Sequence, residues 1–132
     1  MQLASIMLAE LPGARVFIVD DDAAVRQAVT LLVQSLGLPA QAYASAEAFL
    51  QAYDQAGDGC LVLDLHMPGM NGVELQQELK ARGVRIPVIA ITAYKDDPLT
   101  VRAQAAGAVT VLYKPFKQDL LLRSIESALQ RH

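Results

Sequence analysis

Val16-Phe17-Ile18-Val19-Asp20-Asp21-Asp22 (residues 16–22) is an apolar run that halts on three acids. The pattern recurs downstream. Cys60-Leu61-Val62-Leu63 halts on Asp64, Val88-Ile89-Ala90-Ile91 on Thr92, and Val111-Leu112-Tyr113 on Lys114. Each run is continuous rather than alternating, which is the pattern of strands covered on both faces of a parallel α/β sheet. Open parallel sheets bind ligands outside the carboxyl ends of their strands. If the runs are neighbours in one sheet, carboxylates, a hydroxyl and an ammonium share a shallow pocket at that edge.

The segments between the runs have helical spacing. Val25, Val29, Leu32 and Leu36 fall on one face of a helix over about 23–36, with Asp22 as N-cap and Gly37 as the stop. Residues 38–43 form a weaker strand, suited to a sheet edge because Pro39 lacks a ladder donor. Ser45 caps a second helix through about Tyr53, with Glu47 in its first turn. A loop over 54–59 leads into the Cys60 run, and the turn-rich His66-Met67-Pro68-Gly69-Met70-Asn71-Gly72 follows it. A third helix covers about 73–82, Gly83 ends it, and Pro87 opens the next strand. Asp97 caps a fourth helix with Pro98 at its first position, and Gly107 terminates it. The last helix starts near Gln118, buries Leu121, Leu122, Ile125 and Leu129, and runs to the chain end. These are five β-α units, which predict a doubly wound α/β sheet with right-handed crossovers.

The 132 residues suffice for one domain and not for two ordinary ones. Hydrophobic residues make up 53%, enough for a proper core and far above the level of a disordered chain. With 11 basic and 14 acidic side chains the net charge is −3. No Lys/Arg cluster supplies the basic footprint that a nucleic-acid backbone needs, so direct nucleic-acid binding is not expected. No apolar stretch approaches the ~18 residues of a membrane span. Residues 1–13 read as an N-terminal arm before a domain over 14–132: the segment lacks a basic n-region, contains Glu10 and ends in the chain-breaking Leu11-Pro12-Gly13. Cys60 is the only cysteine and sits inside an apolar run, so it reads as a small buried hydrophobe. A chain without a disulfide fits a reducing cytoplasm.

Asp20, Asp21 and Asp64 lie at strand ends that would be neighbours. Two like charges ~4 Å apart repel by ~4 kcal/mol at an effective dielectric of ~20. Such a cluster needs a cation or a captured proton. Mg2+ takes one or two carboxylates, keeps several waters and completes its shell with phosphate oxygens. Zinc does not fit, because only His66 and Cys60 could add softer ligands and no pair has zinc spacing. Asp22 by itself reads as a helix cap facing solvent. Asp64 is the candidate nucleophile, since a carboxylate can attack phosphorus and form an acyl phosphate. A phosphoryl group there would meet the Lys114 ammonium, the Thr92 hydroxyl and the N–H of Ala93.

In combination and order, these motifs resemble the receiver domain of two-component response regulators. The resemblance covers about residues 15–131 and rests on Val-Asp-Asp-Asp (19–22), Leu-Asp-Leu-His-Met-Pro-Gly-Met-Asn-Gly (63–72), Ile-Thr-Ala (91–93) and Tyr-Lys-Pro-Phe (113–116). Ser45-Ala46-Glu47-Ala48-Phe49-Leu50 is similar to the FixJ-type subgroup. The resemblance implies a flavodoxin-like, five-stranded parallel sheet of order 2-1-3-4-5 with five helices. It implies Asp64 as phosphoacceptor for a sensor histidine kinase. It implies Mg2+, with Mn2+ as a substitute, bound by Asp21, Asp64 and the His66 backbone carbonyl, and by Asp20 through water. By the same resemblance Thr92 would be the switch hydroxyl, Lys114 would contact the phosphoryl group, and Lys114-Pro115 would be a cis peptide. From their positions in the family's motifs, His66 and Tyr94 would flank the route of an attacking water and tune dephosphorylation. The surface of the fourth helix, fifth strand and fifth helix, with Leu99, Arg102, Val111 and Tyr113, would carry output contacts or a phosphorylation-dependent homodimer. Any output domain lies outside this chain. One departure stands out: the family's aromatic switch residue three positions before the lysine is Val111 here, which leaves Tyr113 and Tyr94 as candidates to replace it.

Two other classes remain at this point. A haloacid-dehalogenase-like phosphohydrolase also uses a strand-end aspartate and Mg2+, but carries a second acid two residues later where this chain has His66. A phosphorylation-independent receiver-fold interaction module would commonly lose the acid pair, the aspartate or the lysine, all of which this chain retains.

Overall fold

The computed structural model describes residues 14–54 and 59–130. The arm expected over 1–13, most of the loop expected over 54–59 and residues 131–132, to which the last helix is expected to run, lie outside the described residues. Five strands form one parallel sheet: β1 (Arg15–Val19), β2 (Ala40–Tyr43), β3 (Gly59–Asp64), β4 (Val88–Thr92) and β5 (Thr110–Tyr113), in the order β2-β1-β3-β4-β5. Five helices alternate with them: α1 (Ala23–Ser35), α2 (Ala46–Ala52), α3 (Gly72–Ala81), α4 (Pro98–Ala105) and α5 (Gln118–Leu129). The flavodoxin-like expectation is borne out.

Side chains alternate across a strand, and here both faces are covered. Val16 and Ile18 of β1, Cys60 and Val62 of β3, Ile89 and Ile91 of β4 and Leu112 of β5 pack with Val29 and Val33 of α1 and Leu121, Ile125 and Leu129 of α5. The intervening Phe17, Val19, Leu61 and Leu63 face the other way, onto Phe49 of α2 and Leu75 and Leu79 of α3. Leu65, Val73, Ala90 and Ala103 form a smaller cluster on that second face, where α4 packs. Carried to the ends of β3 and β4 and one residue past β1 and β5, the alternation assigns Asp20, Asp64 and Lys114 to the α1/α5 face and Thr92 to the face of Ala90.

The element boundaries follow local chemistry. Asp22 caps α1 by accepting the Ala24 N–H, Ser45 caps α2 by accepting that of Ala48, and Asp97 caps α4 with Pro98 at its start. α3 starts at Gly72, one residue before the expected start, because Asn71 and Glu74 form a reciprocal capping box. β2 starts at Ala40 rather than 38: Leu38 turns into the core and the Pro39 carbonyl accepts the Val16 N–H at 3.0 Å. In α1 the buried residues are Val29 and Val33, with Val25, Leu32 and Leu36 only partly covered, so the buried stripe is rotated from the expected one. In α5, Leu122 is half-buried, and Ala128 joins Leu121, Ile125 and Leu129 as a buried residue.

Candidate phosphoryl and metal site

Strand register brings the polar ends together. Val19 pairs with Leu63, Asp64 with Ile91, and Thr92 with Tyr113. The Lys114 N–H continues the ladder by donating to the Thr92 carbonyl at 2.8 Å. Carboxylate oxygens of Asp20, Asp21 and Asp64 all lie within 4.8 Å of one another. Asp20 and Asp64 are buried, and Asp21 is exposed.

The Lys114 ammonium stands 3.0 Å from Asp20 Oδ2 and 3.7 Å from Asp64 Oδ2. Asp20 Oδ1 accepts the Asp22 N–H at 2.9 Å. Its Oδ2 is buried and receives no aligned hydrogen bond, so the ammonium is its ionic partner. Burial first, and then the Asp20 charge, push the Asp64 carboxyl up to about 7, against the opposing pull of Lys114 and of the His66 N–H. Partial burial disfavours the Lys114 ammonium, but its contacts with Asp20 and Asp64 more than offset that and hold its pKa above the usual lysine value. Three carboxyls facing one ammonium leave a deficit of positive charge. An all-oxygen donor set of clustered carboxylates short of positive charge suits a hard divalent cation.

The loop after Asp64 is braced at several points. The His66 N–H donates to Asp64 Oδ1 at 3.2 Å. Glu47 reaches across from α2 and accepts the Met70 N–H at 3.0 Å. Gly72 passes so close behind Asp64 that a Cβ there would lie 2.6 Å from the Asp64 carbonyl oxygen and 2.9 Å from Leu65. The Arg26 guanidinium of α1 donates to the Asp20 carbonyl at 2.7 Å.

Thr92 is buried beside this group with its hydroxyl engaged elsewhere. Its oxygen accepts the Tyr94 N–H at 3.2 Å, and its proton faces Asp97 Oδ2 at 3.5 Å. The same Asp97 oxygen meets His66 Nε2, and the His66 ring stands edge-on to Tyr94 with centroids 5.0 Å apart. Ala93 and Tyr94 are exposed. With Lys95, Asp96, Asp97 and Pro98 they line an open cavity of about 610 Å³ next to His66. A larger cleft of about 680 Å³, bordered by Gln76, Lys80 and Arg85, lies at the amino ends of β4 and β5, away from the acids.

Lys114-Pro115 is cis, as expected. Leu99 and Val111, expected on an output surface, are half-buried against the Leu65–Ala103 cluster, whereas Arg102 is exposed and Tyr113 half-buried. Val101, 68% exposed on α4, is an apolar surface residue that the strand-end pattern does not reveal. Spacing reveals Asp97 as a cap but not its links to Thr92 and His66, and it does not reveal the reach of Arg26 and Glu47. Burial holds the Cys60 thiol up at about 12, in keeping with an inert core residue.

Comparison with known proteins agrees with this arrangement. The family described as the response regulator receiver domain matches residues 16–126. The response regulator protein TodT of Pseudomonas putida is 43% identical over 115 residues, which are 87% of this chain and 51% of TodT. A solved structure of the response regulator StyR is 46% identical with a TM-score of 0.84, covering 89% of this chain and 60% of that one. The crystal structure of FixJ-N is 39% identical with a TM-score of 0.84, covering 90% of this chain and 95% of that one. The chain spans about half the length of TodT. Matched over nearly all of its described length, with its acids and lysine gathered at one sheet edge, the chain belongs to the response regulator receiver domain family, in its FixJ-type branch.

Proposed function

We propose that Asp64 accepts a phosphoryl group from the phosphohistidine of a sensor histidine kinase. The observation that carries this is the approach of the Asp20, Asp21 and Asp64 carboxylates to within 4.8 Å, with the Lys114 ammonium 3.7 Å from Asp64. An Asp64 carboxylate oxygen attacks phosphorus, and the new P–O bond forms as the P–N bond to the donor imidazole breaks. The bonding pair leaves with the imidazole, which takes up a proton. Lys114, Thr92 and the Ala93 N–H then receive the phosphoryl oxygens. Charge-assisted hydrogen bonds of this kind are worth about 1.5–3 kcal/mol each, so two or three approach the ~5.5 kcal/mol that reverses a 1:99 equilibrium.

Asp21 and Asp64, the His66 carbonyl, and Asp20 through water are the residues that would hold Mg2+, with Mn2+ as a substitute. When bound, the cation neutralises charge on the equatorial phosphoryl oxygens. His66 and Tyr94, beside the acceptor, tune loss of the phosphoryl group to water. The chain catalyses only its own phosphorylation and dephosphorylation. The phosphohydrolase alternative lacks its second acid, since His66 occupies that position.

The receiver domain comprises residues 14–132 and follows an arm over 1–13. Output contacts or a phosphorylation-dependent homodimer use α4, β5 and α5, and any output domain belongs to a longer protein. A cytoplasmic location is in keeping with the family and with the absence, among the described residues, of a helix long and apolar enough to cross a membrane. Incubation with acetyl phosphate and Mg2+ tests the reading by intact mass. We expect a gain of one phosphoryl group, abolished by chelator and by Asp64→Asn. Labelling that persists in Asp64→Asn assigns the acceptor elsewhere, and a chain that takes up none is an interaction module instead.

A further inference from the structure

We propose that Asp97 is a positioning residue that keeps the Thr92 hydroxyl bound to the N-terminus of α4 and so holds the receiver in its unphosphorylated arrangement. The proposal rests on the reading of Asp64 as phosphoacceptor. Asp97 is buried, with 9% of its surface exposed. Its two oxygens have different partners. Oδ1 accepts the Leu99 N–H at 2.9 Å, which is all that a helix cap requires. Oδ2 faces the Thr92 hydroxyl at 3.5 Å and meets His66 Nε2. His66 in turn donates its backbone N–H to Asp64 Oδ1 at 3.2 Å. One carboxylate thus joins the end of β4, the loop after the acceptor and the first turn of α4.

A threonine hydroxyl has one proton to donate. Given to Asp97 it is withheld from a phosphoryl oxygen on Asp64, so the two states compete for a single O–H. Strand alternation supports the competition, because Thr92 belongs to the face where α4 packs and Asp64 to the opposite one. Phosphoryl capture by Thr92 therefore requires release from Asp97, and release loosens the tie to α4. The 3.5 Å separation is long for such a bond, which makes the restraint weak and readily broken.

Asp97→Ser keeps a helix-capping oxygen but loses the second oxygen and the reach toward Thr92 and His66. The full chain, Asp97→Ser, Thr92→Val and the double variant are titrated with beryllofluoride and Mg2+, a phosphoryl stand-in, and followed by amide NMR. We expect Asp97→Ser to bind about threefold to tenfold more tightly than the unaltered chain, with the gain absent when Thr92→Val is the background. A folded Asp97→Ser that binds no more tightly, or a gain that survives Thr92→Val, overturns the proposal. The Asp97 carboxyl-carbon signal in the unaltered chain gives a second measurement free of any folding defect: it shifts as beryllofluoride binds, and a stationary signal overturns the proposal as well. Beryllofluoride binding that is missing in the unaltered chain, or retained in Asp64→Asn, removes the phosphoacceptor reading and this proposal together. Asp64-dependent binding with no effect of Asp97 removes this proposal alone.

Discussion

Asp64 has a pKa of about 7 in the folded chain against 3.8 for an ordinary aspartate, and burial is the largest cause, followed by the Asp20 carboxylate. Between those values the native state binds more protons than the unfolded state, so stability falls as pH rises from about 4 to about 7. Asp64→Asn removes this charge. In chelator we expect the variant to be more stable than the unaltered chain by on the order of 1–3 kcal/mol at about pH 8, with the gain fading by about pH 4. Urea unfolding across that range checks it, and equal stabilities at high pH would refute it. Mg2+ competes with the same proton, so its binding near neutral pH should release protons and weaken as pH falls. Calorimetry in two buffers of different ionisation enthalpy measures that release. Asp20, Asp64, Thr92 and Lys114 were legible from sequence because a strand end is a local feature. Asp97's ties to Thr92 and His66 were not, because they depend on how side chains cross a loop and not on spacing.

α3 begins where the backbone passes directly behind Asp64, and Gly72 permits that approach. A methyl group there would meet backbone atoms at 2.6 Å and 2.9 Å, which cannot move without shifting Asp64 itself. Gly72→Ala is therefore expected to cost about 1–3 kcal/mol in urea unfolding and to slow acetyl-phosphate labelling. A variant equal to the parent in both measurements would show that the loop yields freely. The elements themselves were legible from continuous apolar runs and caps such as Asp22, Ser45 and Asp97. Their edges were less so. Asn71 and Glu74 moved the start of α3 by one residue, and the buried stripe of α1 centred on Val29 and Val33 because contact with the sheet, not periodicity alone, selects which side faces inward.

The molecule as a whole is one sheet with a core on each side, and the order of its strands is the part that apolar runs cannot specify. Runs identify strands, but neighbours are chosen by crossovers, so the runs leave the order open and only the motif resemblance implies 2-1-3-4-5. Among the described residues, both cores are assembled from Ala14 onward. If residues 1–13 are the arm that their sequence implies, removing them should leave stability within about 0.5 kcal/mol of the full chain and leave acetyl-phosphate labelling intact. A clear fall in the urea midpoint would assign the arm a structural part. The flank of β2 has a further consequence. This outermost strand has only four residues, Ala40 to Tyr43, and the residue before it is a proline. Another copy drawing alongside would find too short a ladder to grow on, and stacking of copies edge to edge into insoluble ribbons is discouraged.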